Sequence, residues 1–235
     1  MNLLALETST EACSVALVHG DRLIERFEVA PRRHAELALP WADAVLAEAG
    51  LARGVLDAIA VGRGPGAFTG VRLGVSLAQG MALALGVPAV GLSTLAALAM
   101  RAPAGEGERV MAAIDARMGE VYWCLYEMRD GEPQALCPEQ VSRPEALDTD
   151  GNRDGWHGVG TGFGAQEGAL AKRFGARLHT LDVTALPHAV DIARLGVAAI
   201  ARGEAVAPER LEPAYLRNQV ALTLAEQAAL RGSRA

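Results

Sequence analysis

The chain has 235 residues, 51% of them hydrophobic and 4% aromatic, with a formal net charge of −6 at pH 7. The apolar content excludes a disordered chain, and the length fits one large domain or two smaller ones sharing a core. The acidic balance excludes a protein that grips nucleic acid through a basic footprint of its own. Arg32-Arg33-His34 is too short for such a footprint and reads as the solvated lead-in to a helix.

In chain order, residues 2–7, 12–18 and 22–30 read as three strands, separated by the polar break Thr8-Ser9-Thr10-Glu11 and the turn His19-Gly20-Asp21. A helix follows over 34–49 and is closed by Gly50, with Pro40 kinking it or marking its regular start. Residues 58–62 suit a buried strand. A glycine-rich loop leads to a helix from about Thr69 to Leu85, capped by Thr69 and stopped by Gly86. Residues 87–92 are a further strand, and Ser93 caps a helix to about Met100. The stretch 102–108 is a linker.

After the linker the opening theme returns at an offset of 108 positions. Val110 to Ile114 ends in Asp115 as Leu3 to Leu6 ends in Glu7, Val121 to Leu125 falls on Cys13 to Leu17, and Asp130-Gly131 supplies the next turn. Val159-Gly160-Thr161-Gly162 echoes Val61-Gly62-Arg63-Gly64. The order of elements predicts an internal duplication: an α/β protein of two mixed-sheet halves, the architecture of the actin-like and sugar-kinase-like (ASKHA) ATPases. The halves are expected at 1–104 and 109–235, with a last helix over about 217–231 packing back on the first half.

The strongest local motif is Gly62-Arg-Gly-Pro-Gly-Ala-Phe-Thr-Gly-Val-Arg72. Its glycines permit close backbone approach, and a loop at a helix N-terminus could present N–H groups to an anion. It lacks the Gly-Lys-Ser/Thr ending of a P-loop. It reads equally well as a ligand-free strand-to-helix turn. Glu7, Thr8, Ser9, Gly64, Gly66 and Asp115 are the candidates for a nucleotide cleft, although on residue type alone Glu7 and Asp115 read first as polar strand ends.

The helices 34–49 and 69–86 carry more apolar surface than one sheet contact needs, so a neighbouring helix of the same chain or a partner must cover the rest. Burial within the monomer is the commoner arrangement, and two adjacent helices with surplus apolar faces suggest a docking surface. Leu37, Trp41, Val45, Arg72, Leu73, Ser76, Leu77 and Gly80 are the candidate interface residues. The catalytic inventory is thin. None of His19, His34, His157, His179 and His188 stands i+3 or i+4 from another, and no Gly-x-Ser-x-Gly elbow is present. Cys13, Cys124 and Cys137 have neither metal nor redox spacing and read as buried thiols of a reducing compartment. The chain opens with no basic segment leading to an apolar run and cleavage site. Its longest apolar candidate, residues 73–100, is broken by glycines and Pro88, so a cytoplasmic protein with no membrane span is expected.

Four stretches carry a family resemblance. Leu4 to Leu17 resembles the opening of the TsaB (YeaZ) family, and Gly62 to Ser76 its most diagnostic segment. Asp115 to Tyr122 resembles the start of its second half, and Pro213-Ala214-Tyr215-Leu216-Arg217 its C-terminal signature. The match is specific through about residue 125 and weaker over 130–210. Glu7 stands where the family usually has Asp, which preserves the charge.

The resemblance implies a non-catalytic relative of the transferase TsaD, acting in formation of threonylcarbamoyladenosine beside the anticodon of tRNA. The TsaD metal motif His-x-x-x-His falls here on Thr94 and Leu98, so no metal site is expected. The implied partners are a TsaD-like subunit docked on helices 34–49 and 69–86, a TsaE-like ATPase, and tRNA through the complex. A homodimer through the same helices is the expectation when TsaD is missing. No cofactor is required by this chain, and ATP or ADP belongs to the assembled complex. The alternatives are an ATP-dependent kinase of the same fold, or a peptidase-like hydrolase for which no nucleophile–base pair is legible.

Overall fold

The computed structural model describes residues 1–149 and 154–217. The first half contains β1 (Asn2–Glu7), β2 (Ala12–His19), β3 (Arg22–Val29), α1 (His34–Ala49), β4 (Ala58–Gly62), α2 (Phe68–Leu85), β5 (Ala89–Leu92) and α3 (Thr94–Ala99). The second contains β6 (Arg109–Arg117), β7 (Glu120–Arg129), β8 (Glu132–Ala135), β9 (Gln140–Ser142), β10 (Trp156–Val159), α4 (Ala165–Phe174), β11 (Leu178–Asp182) and α5 (Ala189–Ala201).

The two sheets have one topology. The first runs β3-β2-β1-β4-β5 and the second β8-β7-β6-β10-β11, with β9 added beside β7. In both, the hairpin strands are antiparallel and the strands reached through crossovers are parallel. The duplication read from the sequence is therefore present in the chain path. Its register differs by one residue, because Glu7 pairs with Ser14 whereas Asp115 pairs with Val121. Val121 thus stands where Ser14 does, not Cys13, and the second hairpin absorbs the missing residue in an irregularity between Asp115 and Arg117.

Side chains of β1 alternate between two cores. Leu4 and Leu6 meet α1 and α2, while Leu3 and Ala5 meet α5. On β6, Val110, Ala112 and Ile114 meet α3, and Met111 and Ala113 face the core that holds Phe174 of α4. A strand covered on both faces must be apolar at successive positions, which is why these strands read as continuous hydrophobic runs. The layers are α1 with α2, the first sheet, α3 with α5, the second sheet, and α4.

Two boundaries differ from expectation. The N-cap of α2 is Ala67, not Thr69, and no side chain caps it; the Ala67 N–H instead donates to Ser9 O at 2.7 Å. α1 runs through Pro40, which is exposed together with Glu36, so the carbonyl left without its in-helix donor lies where water can replace it. Gly50 and Gly86 end α1 and α2 in the left-handed conformation, and the Ser93 hydroxyl accepts from Ala96 N, as the sequence predicts.

The halves do not separate at the linker. α5 belongs to the second half by sequence yet covers the first sheet, with Gly196 facing Ala60 and Leu3 so closely that a Cβ would sit 3.0 Å from each. Its first N–H groups are capped from that sheet: Ala189 N donates to Ser14 Oγ at 2.8 Å and Val190 N to Glu25 Oε1 at 3.0 Å. After α5, Val206 exchanges backbone bonds with Ala89, and Ala214 N donates to Arg63 O at 2.8 Å. Helix 189–201 thus packs back on the first half, which the sequence pattern does not announce. Most of the one expected at 217–231 lies outside the described residues, and Arg217 itself is not helical.

α2 has the length and mean hydropathy of a membrane span. Its position accounts for that composition: Gly70, Val71, Gly74, Val75, Ala78 and Ala82 are buried within the protein, and Arg72 and Ser76 lie on the opposite, exposed side.

Candidate functional site

The ends of β1 and β6 face a cleft of about 950 Å³. Ser9 to Glu11, Pro31, Arg32, His34 and Ala35, and Pro65 to Val71 with Leu73 line it from the first half; Ile114 to Met118, Tyr122 and Thr161 line it from the second. Residues 214–217 close one side. A crevice at the carboxyl ends of central strands is where open α/β sheets offer a binding site.

The six candidate nucleotide residues divide between cleft and interior. Ser9, Gly66 and Asp115 line the cleft; Glu7, Thr8 and Gly64 do not. Glu7 is 1% exposed. Its Oε1 accepts from Ser9 N at 2.6 Å and its Oε2 from Thr94 Oγ1 at 3.2 Å. Burial pushes its carboxyl above the ordinary glutamate range, and those hydrogen bonds offset the shift only in part. Thr8 Oγ1 donates to Gly70 O at 2.8 Å. Gly64 has φ +99° and donates its N–H to Thr94 Oγ1 at 3.2 Å.

The glycine loop owes its composition to this buried network. A Cβ on Gly62 would lie 1.9 Å from Glu7 Oε2, one on Gly66 2.3 Å from Ser9 O, and one on Gly70 2.1 Å from Thr8 O. The close approach these glycines permit is made by the β1–β2 turn, and the Gly64 and Ala67 N–H groups are already engaged with Thr94 and Ser9. Asp115, at the equivalent end of β6, stays on the cleft wall, where its carboxylate accepts from Arg117 N at 2.8 Å and pairs with Arg117 Nη1 at 3.0 Å.

Thr94 and Leu98, the positions of the implied metal motif, are both fully buried. Thr94 ties Glu7, Ser9 and Gly64 together. Leu98 packs with Val110, Ala112 and Val159, against Gly160. A hydroxyl already committed to three neighbours and a leucine supply no imidazole-type donor, so these residues do not fit a divalent metal.

The candidate interface residues also divide. Val45 is fully buried among Leu17, Ala42 and Val75 and belongs to the interior, not to a surface. Leu37, Trp41, Leu73 and Leu77 are half-buried, with Leu37, Trp41 and Leu77 packed on the same core. Arg72, Ser76 and Gly80 are exposed and, with Phe68 and Leu83, form one stripe along α2.

The stripe's first turn carries a feature that no sequence spacing announces. The Arg72 guanidinium lies 3.7 Å over the Phe68 ring, and Arg72 Nε donates to Tyr215 Oη at 2.7 Å. Two residues on, Arg217 donates to Ala116 O at 3.3 Å and pairs with Glu120 at 2.5 Å. The Pro-Ala-Tyr-Leu-Arg stretch is therefore a strap joining the start of α2 to the β6–β7 turn across the cleft. His34, the first residue of α1, brings its Nε2 to 3.0 Å from Thr10 O and 3.1 Å from Ala12 O, steadying the β1–β2 turn.

The family model of the tRNA N6-adenosine threonylcarbamoyltransferase TsaD matches residues 27–225. The tRNA threonylcarbamoyladenosine biosynthesis protein TsaB of Escherichia coli is 41% identical over 228 residues, covering 94% of this chain and 96% of that protein. The chain belongs to the TsaB (YeaZ) family. The TsaB of Haemophilus influenzae is 37% identical, with 94% and 95% covered. The structure of YeaZ from Pseudomonas aeruginosa superimposes with a TM-score of 0.81 at 46% identity, covering 92% of this chain and 99% of that one. The fold is thus that of the TsaB family, whose members act in threonylcarbamoyladenosine biosynthesis, and the duplicated α/β architecture expected from the sequence is the one found.

Proposed function

We propose that this chain is the non-catalytic subunit of the complex that forms threonylcarbamoyladenosine in tRNA, binding a TsaD-like transferase and supporting its transfer step at the adenosine beside the anticodon. The observation that carries this reading is the fate of the polar centre at the strand ends. Glu7, Thr8, Ser9 and Thr94 hydrogen-bond within the protein, the β1–β2 turn fills the glycine loop, and Leu98 occupies the core where the transferase motif requires a metal ligand. Such a centre has no open position for a metal or an attacking group.

Binding is the activity that remains, and α2 offers the surface for it. Phe68, Arg72, Ser76, Gly80 and Leu83 expose a stripe with little steric relief, and Leu73 and Leu77 flank it half-buried. Among the described residues nothing lies within 4 Å of the place a Gly80 Cβ would take, so another helix could approach the backbone there. A TsaE-like ATPase and tRNA enter through the complex, ATP or ADP is assigned to that assembly, and a second copy takes the same face when the transferase is absent.

The test is tRNA threonylcarbamoylation by purified TsaD with its activated substrate, TsaE and ATP, in the presence and absence of this protein. The expected outcome is modification that requires the protein, which alone does nothing. A transferase indifferent to it would overturn the reading.

A further inference from the structure

The cysteines stand apart from the site just described. Along β7, Leu125 O accepts from Leu136 N at 2.8 Å and Trp123 pairs with Gln140. Between these anchors β7 has one residue, Cys124, while the facing chain has three, and the surplus bulges with Cys137 at its start. Cys124 Sγ donates to Cys137 O at 3.3 Å, which sets the two residues side by side. Cys137 follows Leu136, whose N–H still bonds to β7, so the bend begins opposite Cys124, and a disulfide spans Cα separations of about 4.4–6.8 Å. Cys124 is fully buried, and Cys137 is partly buried between exposed neighbours. We infer that Cys124 and Cys137 form a reversible dithiol–disulfide pair, with Cys137 as the residue that meets a peroxide oxidant and Cys124 as the resolving thiol.

The chemistry balances with hydrogen peroxide as the two-electron oxidant. The Cys137 thiolate attacks one peroxide oxygen, the O–O bond breaks, and the departing hydroxide becomes water. The resulting Cys137 sulfenic acid is attacked by Cys124 Sγ; the S–O bond breaks, and a second water leaves with the Cys124 proton. A dithiol reductant reverses the step. The environment supports this division of roles. The hydrogen bond from Cys124, with help from Leu125 N–H and Gln140, holds the Cys137 thiol below the ordinary range against its burial, while Cys124 is pushed up. Cys13, by contrast, is fully buried with its thiol pushed up to about 11, and is the built-in control.

The test treats the folded full-length protein with hydrogen peroxide, then counts thiols after denaturation and maps tryptic peptides. Titratable thiols should fall from three to one, with peptide 118–129 joined to 130–153, since trypsin does not cut between Arg143 and Pro144, and the pair lighter by two hydrogens. The oxidised form should melt about 5–10 °C higher, because the bond closes a chain loop in the unfolded state. In Cys124→Ser, a sulfenic acid on Cys137 should accumulate and be trapped by a 1,3-dione. Three surviving thiols in the wild-type protein, or Cys137 driven to sulfinic acid with Cys124 still free, would overturn the inference, and neither depends on how the variant folds.

Discussion

Glu7 is a carboxyl group at the end of a central strand with almost no surface. Desolvation raises its pKa in the folded protein above the ordinary value near 4.5. An acid whose folded pKa lies above its unfolded one favours folding below the unfolded value, and that contribution is lost as pH rises through the folded value. Glu7→Gln keeps the shape and removes the titration, since the amide oxygen can accept from Ser9 N and the amide nitrogen can donate to Thr94 Oγ1, which then turns to Ser9 Oγ. The melting-temperature difference, variant minus wild type, should therefore grow from pH 4.5 upward; a flat difference would mean the carboxyl is not desolvated. Gly66 is constrained differently. Gly66→Ala places a methyl 2.3 Å from the Ser9 carbonyl, a backbone atom that cannot swing aside. Urea unfolding should show a loss of about 1–3 kcal/mol.

At the scale of the element, α2 reconciles two demands. Its inner face carries Gly70 and Gly74, which let the helix lie on Thr8, and its outer face carries the Phe68–Leu83 stripe. Leu77 packs against the core shared with Val75 and Leu46, so Leu77→Glu would disturb the fold together with any partner contact. Gly80→Glu is the cleaner probe, because no described residue crowds Gly80 and glutamate is a better helix former than glycine. The variant should unfold no more readily than wild type and should bind a TsaD-like subunit at least about tenfold more weakly, equal to about 1.4 kcal/mol. Undiminished affinity in a titration would remove this stripe of α2 from the interface.

At the scale of the whole molecule, the two halves are held together by more than their linker. α5 crosses back onto the first sheet, the strap at Tyr215 and Arg217 touches both halves, and α3 is shared between two cores. Cooperative unfolding of the two halves follows from this interdigitation. Trp41 reports on the first half, and Trp123 and Trp156 on the second. Fluorescence of single-tryptophan variants in urea should give coincident transitions, and separate midpoints would show the halves to be independent units.

The amino-acid sequence by itself determined the strands and helices of the first half nearly to the residue, together with the repeated order of the second. These features rest on side-chain period and on turn glycines such as Gly50 and Gly86, and both act over a few residues. The absence of imidazole at Thr94 and Leu98 was legible through the family resemblance, which places the transferase motif on those two positions. Only the tertiary structure decided that Glu7 is sealed and Asp115 lines the cleft, although both stand at equivalent places in the two hairpins, because Gly62 and Thr94 close over Glu7 and, among the described residues, Asp115 stays on the cleft wall. It also moved Val45 from surface to core, brought Tyr215 to Arg72 across 143 positions, and set Cys137 beside Cys124. Each of these depends on sheet register and helix packing, which join residues far apart in the chain and leave no periodic trace within it.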